Sequence, residues 1–188
     1  MSGRPGSHRL ISPSAGPLPA AGAYFGALLR RMLRDVARAA AGAPDDRDRL
    51  VAAALARYLG LPGLLDGVDC PCAQDRYTRH LLHAGDGHSV LALVWRPGQM
   101  SPVHAHRTWC ALGIHRGWMT ETFFAPGSGG ARPFGCVPRR EGDIAHSPAD
   151  PSAIHRLANL GIEDALSIHV YGARHDRLGD EVNQIWAD

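Results

Sequence analysis

The sequence predicts a mainly β protein, a barrel or sandwich with a small helical region at its N-terminal end. Two observations lead there. From Tyr77 onward, short apolar runs such as "HSVLALVW", "WMTETFF" and "ALSIHVYG" are separated by the turn signals "AGDG", "RPGQ", "APGSGG" and "REGD", and regular short strands between turns are the mark of an all-β core. Before that point, apolar residues recur at helical rather than strand spacing. A chain of 188 residues can bury one real core but not two large ones.

Residues 1–20 are rich in Pro, Gly and Ser and read as a loose arm. A single domain over 21–188 follows, with a helical front end at 21–60 and the β-barrel at 77–188. The pairs Tyr24/Phe25, Leu28/Leu29 and Met32/Leu33, then Val36, recur every four residues. That spacing marks an amphipathic helix with its arginines outward. A second helix is expected after Pro44, with Asp45 and Asp46 in its first turn, where the dipole favours them. Leu50, Val51, Ala54, Leu55 and Tyr58 form its buried face and Gly60 ends it. "LPGLLDGVDCPCAQD" reads as a connector.

Composition narrows the function. A net charge of +2 with no lysine, and no basic stripe interleaved with aromatics, argues against a nucleic-acid partner. No apolar run approaches the ~20 residues of a membrane span, and no continuous apolar segment makes the N-terminus a secretory signal. The cytoplasm is the expected location, as a monomer or small homo-oligomer. There, four cysteines are expected as free thiols or site residues rather than disulfides.

The chemistry concentrates in histidines. In "SPVHAHRTWCALG", His104 and His106 are two residues apart, so in a strand both face one way, about 6.6 Å apart along the chain. Both would point into the barrel interior and could grip one metal. His155 in "AIHRLAN", followed four residues later by Asn159, offers a third ligand. His146 in "GDIAHSP" competes for that place but lacks the downstream Asn. Imidazole suits iron, zinc, copper and nickel alike, so ligand type alone does not name the metal. His80, His83, His88 and His115 lack partner spacing and read as surface or packing residues.

Gly98, then five residues, then His104-x-His106, with a distant His155-x-x-x-Asn159, resembles the two-part pattern of the cupin (jelly-roll) β-barrel. Many cupins add a glutamate three or four residues beyond the H-x-H; here Trp109 and Cys110 stand there. That absence, the "HRLAN" run and "SIHVYG" together resemble the thiol dioxygenases, of which cysteine dioxygenase is the best known. The likeness runs from Tyr77 to Tyr171 and onward toward Trp186. It implies Fe(II) held by His104, His106 and His155, with a small-molecule thiol and O2 as the partners.

The resemblance extends to two further patches. In "LSIHVYG", Ser167, His169 and Tyr171 alternate onto one face, with Leu166, Ile168 and Val170 on the other. Taken alone they read as core residues with satisfied hydrogen bonds; the family likeness implies a catalytic hydrogen-bond relay beside the iron. In "RYTRHLL", Tyr77 and Arg79 match the family's Tyr-x-Arg, whose arginine binds the substrate carboxylate through two parallel charge-assisted bonds. Related 3-mercaptopropionate dioxygenases usually carry glutamine there, so Arg79 favours L-cysteine, oxidised to cysteine sulfinic acid. The same chemistry on 3-mercaptopropionate or another mercapto acid is the alternative, with Arg174 or Arg177 reaching a second acidic group. A metal-binding cupin acting as an isomerase or ligand sensor is the reading from another class.

Animal cysteine dioxygenases join a cysteine just past the H-x-H to the tyrosine beside the iron. Cys110 and Tyr171 occupy corresponding places, although Cys110 is one residue nearer to the histidines, so both a thioether and a buried free thiol stay open. Cys70 and Cys72, in "DCPC", are too close for thiolate-pair metal geometry, and Cys136 has no partner spacing.

Overall fold

The computed structural model describes residues 26–179 and 182–186. The expected N-terminal arm and the aromatic pair Tyr24/Phe25 lie outside the described residues. The first helix, α1 (Ala27–Ala40), buries Leu29, Met32, Leu33 and Val36, the stripe that the four-residue recurrence marks. A 3-10 turn over Pro44–Asp46 leads into α2 (Arg47–Ala56). Its buried side carries Val51, Ala54 and Leu55, continued by Tyr58, while Leu50 is only partly buried because it sits at the edge beside Gly42. None of these helices is long and apolar enough to cross a membrane.

Among the described residues ten strands follow: β1 (Thr78–Ala84), β2 (Ser89–Trp95), β3 (His104–His106), β4 (Cys110–Arg116), β5 (Trp118–Gly127), β6 (Gly130–Arg140), β7 (Ile144–Ser147), β8 (Asp150–Ala158), β9 (Ala165–Tyr171) and β10 (Asn183–Ile185). They form two antiparallel five-stranded sheets, ordered β1-β2-β9-β4-β7 and β10-β3-β8-β5-β6. Most neighbours in each sheet are distant in sequence, and every pairing is antiparallel. This is the jelly-roll of a cupin barrel. The run "HAHRTWCALGI" is not one strand, however. It breaks at residues 107–109, and its halves join opposite sheets.

The helices cover the outer face of the first sheet rather than one end of the barrel. Leu29, Met32, Val51 and Leu55 pack with Val90, Ala92, Val94, Ile168 and Val170 in one cluster. That cover explains why β2 and β9 are buried at every position, on both faces, as a strand between two apolar layers must be. Close contact depends on Gly113 in β4, where an added Cβ would lie 2.3 Å from Leu59 Cδ1. The inner face of the same sheet carries Leu91, Leu93, Leu112 and Ile114 and, in the same rows, the polar residues considered next.

Candidate metal and thiol site

Cross-strand register brings the histidines together. His104 on β3 stands directly opposite His155 on β8. His106, two residues along β3, shares their face. Among the described residues these three form the group able to hold a metal, their ligand atoms all within 4.8 Å of one another. All three are buried. His155 Nε2 faces His106 Nε2 at 3.1 Å, while His104 Nδ1 is turned away to the Pro102 carbonyl at 3.0 Å, leaving Nε2 for the centre. His146 is elsewhere: its Nδ1 meets Asp48 Oδ2 on α2 at 2.8 Å.

The donor set fits a divalent ion. Burial, with the neighbouring His155, pushes His104 down to about 3, and burial holds His106 well below the usual histidine range. Both therefore stand neutral at physiological pH, as metal ligands must. His169 is depressed in the same way, chiefly by burial. Unfolded, each would titrate near about 6.5. Below that pH the unfolded chain takes up protons that the folded chain refuses. Stability of the metal-free protein is thus expected to fall as pH drops from about 6.5 towards those depressed values, by about 1.4 kcal/mol per pH unit for each histidine. Urea midpoints at pH 7.5 and 5 check this, and equal midpoints would contradict it.

A residue that the sequence reading missed anchors His155. Glu121 on β5 is buried, its Oε1 2.7 Å from His155 Nδ1, and its other oxygen accepts from Arg139 Nε at 2.7 Å and pairs with Nη2 at 2.6 Å. Burial would raise its pKa, but the bonds from His155 and Arg139 outweigh that and hold the carboxyl below its ordinary value. A glutamate thus does adjoin the histidines, as an orienting partner of His155. The signal was present: in "WMTETFF" Glu121 alternates with Met119 on the inward side. Glu121→Gln is expected to weaken metal binding about 10–100-fold, the usual cost of losing such a partner. Competition against a chromogenic chelator measures it.

The first sheet lays the remaining candidates opposite. Tyr77, Arg79, His169 and Tyr171 border one small cavity together with His104, His106 and His155. Tyr77 stacks on Trp95 with ring centres 4.2 Å apart, and its hydroxyl accepts from Arg79 Nη2 at 3.0 Å. Arg79 Nε is buried with no partner. Trp95 Nε1 donates to Ser167 Oγ at 2.8 Å, Ser167 Oγ lies 2.9 Å from His169 Nε2, and His169 Nδ1 lies 3.0 Å from Tyr171 Oη. Trp95 can only donate, so Ser167 Oγ accepts from it; in the tautomer where the serine gives its own proton to His169 Nε2, the ring proton sits on Nδ1. His169 Nδ1–H then donates to Tyr171, whose own O–H is left free to donate into the cavity. Burial pushes the Tyr171 pKa up, keeping that proton in place. Trp95 is the second residue missed from sequence, where an apolar run makes it look like plain core.

Cys110 is the Cα register partner of Tyr171. Its thiol, pushed up to about 12 chiefly by burial, borders a second cavity behind His106 and His155. Cys70, Cys72 and Cys136 are free, and Arg174 is exposed and paired with Asp176.

A family model described as cysteine dioxygenase type I matches residues 70–178. The chain belongs to the cysteine dioxygenase type I family. The matched stretch holds every member of the cavity from Tyr77 to Tyr171. Family membership and the three-histidine group together support a metal-binding cupin oxidoreductase of the dioxygenase kind. Solved structures that resemble this family member include a Thermus thermophilus protein, 18% identical with TM-score 0.45 over 55% of this chain and 90% of that one. A Klebsiella pneumoniae protein with a double-stranded β-helix domain is 18% identical, with TM-score 0.46 over 63% and 90%. A cupin superfamily protein from Desulfitobacterium hafniense is 14% identical, with TM-score 0.44 over 57% and 85%.

Proposed function

We propose that this protein is an iron-dependent thiol dioxygenase that adds both atoms of O2 to the sulfur of L-cysteine, giving cysteine sulfinic acid. One observation carries the reading: a three-imidazole group and a guanidinium with an unpartnered buried N–H share one small cavity. Iron(II) bound by His104, His106 and His155 would supply the thiolate and O2 chemistry, and three neutral donors leave its full charge for anionic ligands.

The protein's own side chains do the positioning. Arg79 lacks an acceptor at Nε, and a substrate carboxylate fills that deficit while taking a second bond from the fork. Tyr77, locked by its stack on Trp95, holds the guanidinium at the angle that places the thiol end over the histidines. Tyr171 donates its retained proton to an acceptor developing on the reacting side, and the Trp95–Ser167–His169 chain fixes its hydroxyl in that role. Buried walls exclude water and strengthen each of these bonds. Orienting both ends of a small substrate can supply a large part of the barrier reduction.

We further propose that Cys110 and Tyr171 can join by a thioether, with O2 accepting the two electrons and two protons released. Their register pairing supports this. Intact mass of active protein is expected to fall by the two hydrogens, and an unchanged mass after turnover leaves Cys110 a free thiol.

The deciding experiment is O2 uptake by iron-loaded protein across a panel of cysteine, 3-mercaptopropionate and cysteamine, with mass spectrometry of the products. One O2 consumed per cysteine sulfinate formed is the expected result. Absence of thiol-dependent uptake under reducing conditions would turn the reading toward a ligand sensor or isomerase.

A further inference from the structure

Three imidazoles that ligate through Nε2 must each keep a proton on Nδ1, and each such N–H needs an acceptor, which also fixes the ring. Two acceptors are in place: the Pro102 carbonyl for His104 and the Glu121 carboxylate for His155. His106 Nδ1 is buried without a hydrogen-bond partner, and so is Asn183 Oδ1. An N–H donor and a carbonyl acceptor left without partners in one interior are each costly. These two are neighbours. Strand β10 pairs antiparallel with β3, and Asn183 is the register partner of His106, so their side chains leave the sheet on one face.

We propose that Asn183 is the positioning residue of His106: its side-chain carbonyl accepts the Nδ1–H and holds Nε2 toward the other two histidines. Backbone bonds fasten β10 on both sides of this pair, Arg107 N to Val182 O at 2.8 Å and Trp186 N to Val103 O at 2.9 Å. With the strand fixed on both sides, bringing the two groups together calls for side-chain rotation rather than movement of β10. Asn183 lies beyond the matched stretch 70–178, so the C-terminal strand becomes part of the metal centre rather than an appendage to it. The three ligands would then carry three different acceptors: a backbone carbonyl, a carboxylate and an amide.

The inference rests on His104, His106 and His155 being metal ligands, and the test separates the two ideas. Metal-free protein labelled with 15N in histidine reports the His106 tautomer by NMR. Competition of Zn(II) or Co(II) against a chromogenic chelator reports affinity. In the wild type, His106 should carry its proton on Nδ1. Asn183→Ala should lose that preference and bind metal about 10–100-fold more weakly, while Asn183→Asp, which keeps an acceptor in place, should return to within about threefold of wild type or exceed it. Unchanged affinity and tautomer in Asn183→Ala would overturn the proposal. So would an equal loss in both variants, since strand packing would then be the cause. Should the wild type bind neither metal, the metal-centre reading fails, and the tautomer comparison alone still decides whether Asn183 orients His106.

Discussion

His155→Ala is expected to abolish stoichiometric metal binding, with loss of thiol-dependent O2 uptake to background. The position is sensitive for two reasons. Removing the imidazole leaves two donors where three converge within 4.8 Å. It also strands the Glu121 carboxylate, which now spends one oxygen on His155 and the other on Arg139. A buried carboxylate deprived of one partner is costly in itself. The loss should therefore exceed the roughly 10–100-fold expected for a partner such as Glu121 alone. His146→Ala is the matched control. It removes the histidine that competes for the third place in the sequence, and its bond to Asp48 on α2 suggests an effect on helix docking rather than on metal content. Metal-to-protein ratios after anaerobic loading decide between them; stoichiometric metal in His155→Ala, with loss in His146→Ala, would reverse the assignment.

The histidine spacing was legible because a strand's two-residue period needs no tertiary information. The Ser167-His169-Tyr171 alternation was legible for the same reason. What the sequence withheld depends on register between distant strands. No local pattern says that His104 stands opposite His155, or that Cys110 stands opposite Tyr171. Glu121 and Trp95 escaped because each sits in a strand whose neighbours look like core, and only the partner across the barrel gives them a task. The break between β3 and β4 was hidden by continuity of apolar residues: "HAHRTWCALGI" contains no Gly or Pro at the point where the chain crosses from one sheet to the other. The place of the helices was also beyond a local reading. Their apolar stripes say that they pack, but the fully buried β2 and β9 show on what. Sequence would assign such strands to a core interior without revealing that one side of it is helical.

Arg79→Gln tests the substrate rather than the metal, and its expected signature is a change in selectivity. Arg79 borders the cavity with Nη2 on Tyr77 and Nε without an acceptor. A carboxylate-bearing thiol satisfies the guanidinium; cysteamine, which has no carboxylate, leaves it unsatisfied. Hydrogen bonds to charged groups contribute about 1.5–3 kcal/mol, so kcat/KM for cysteine should fall roughly 10–150-fold in the variant. Cysteamine should be nearly unaffected or slightly improved, since the variant no longer leaves a buried charge unpaired. Glutamine keeps one donor but neither the charge nor the planar fork. Cysteine and 3-mercaptopropionate both carry a carboxylate, so both should lose by this route; a steeper loss for cysteine is the added signature expected where the arginine selects the amino acid. Metal content should stay at the wild-type level, because the hydrogen bonds that orient His104 and His155 run to Pro102 and Glu121, while that of Arg79 runs to Tyr77. An equal loss across all three thiols would mean that Arg79 supports the cavity wall and reads no carboxylate. An unchanged preference between cysteine and 3-mercaptopropionate would keep the arginine as an anchor and remove it as the reason for choosing cysteine.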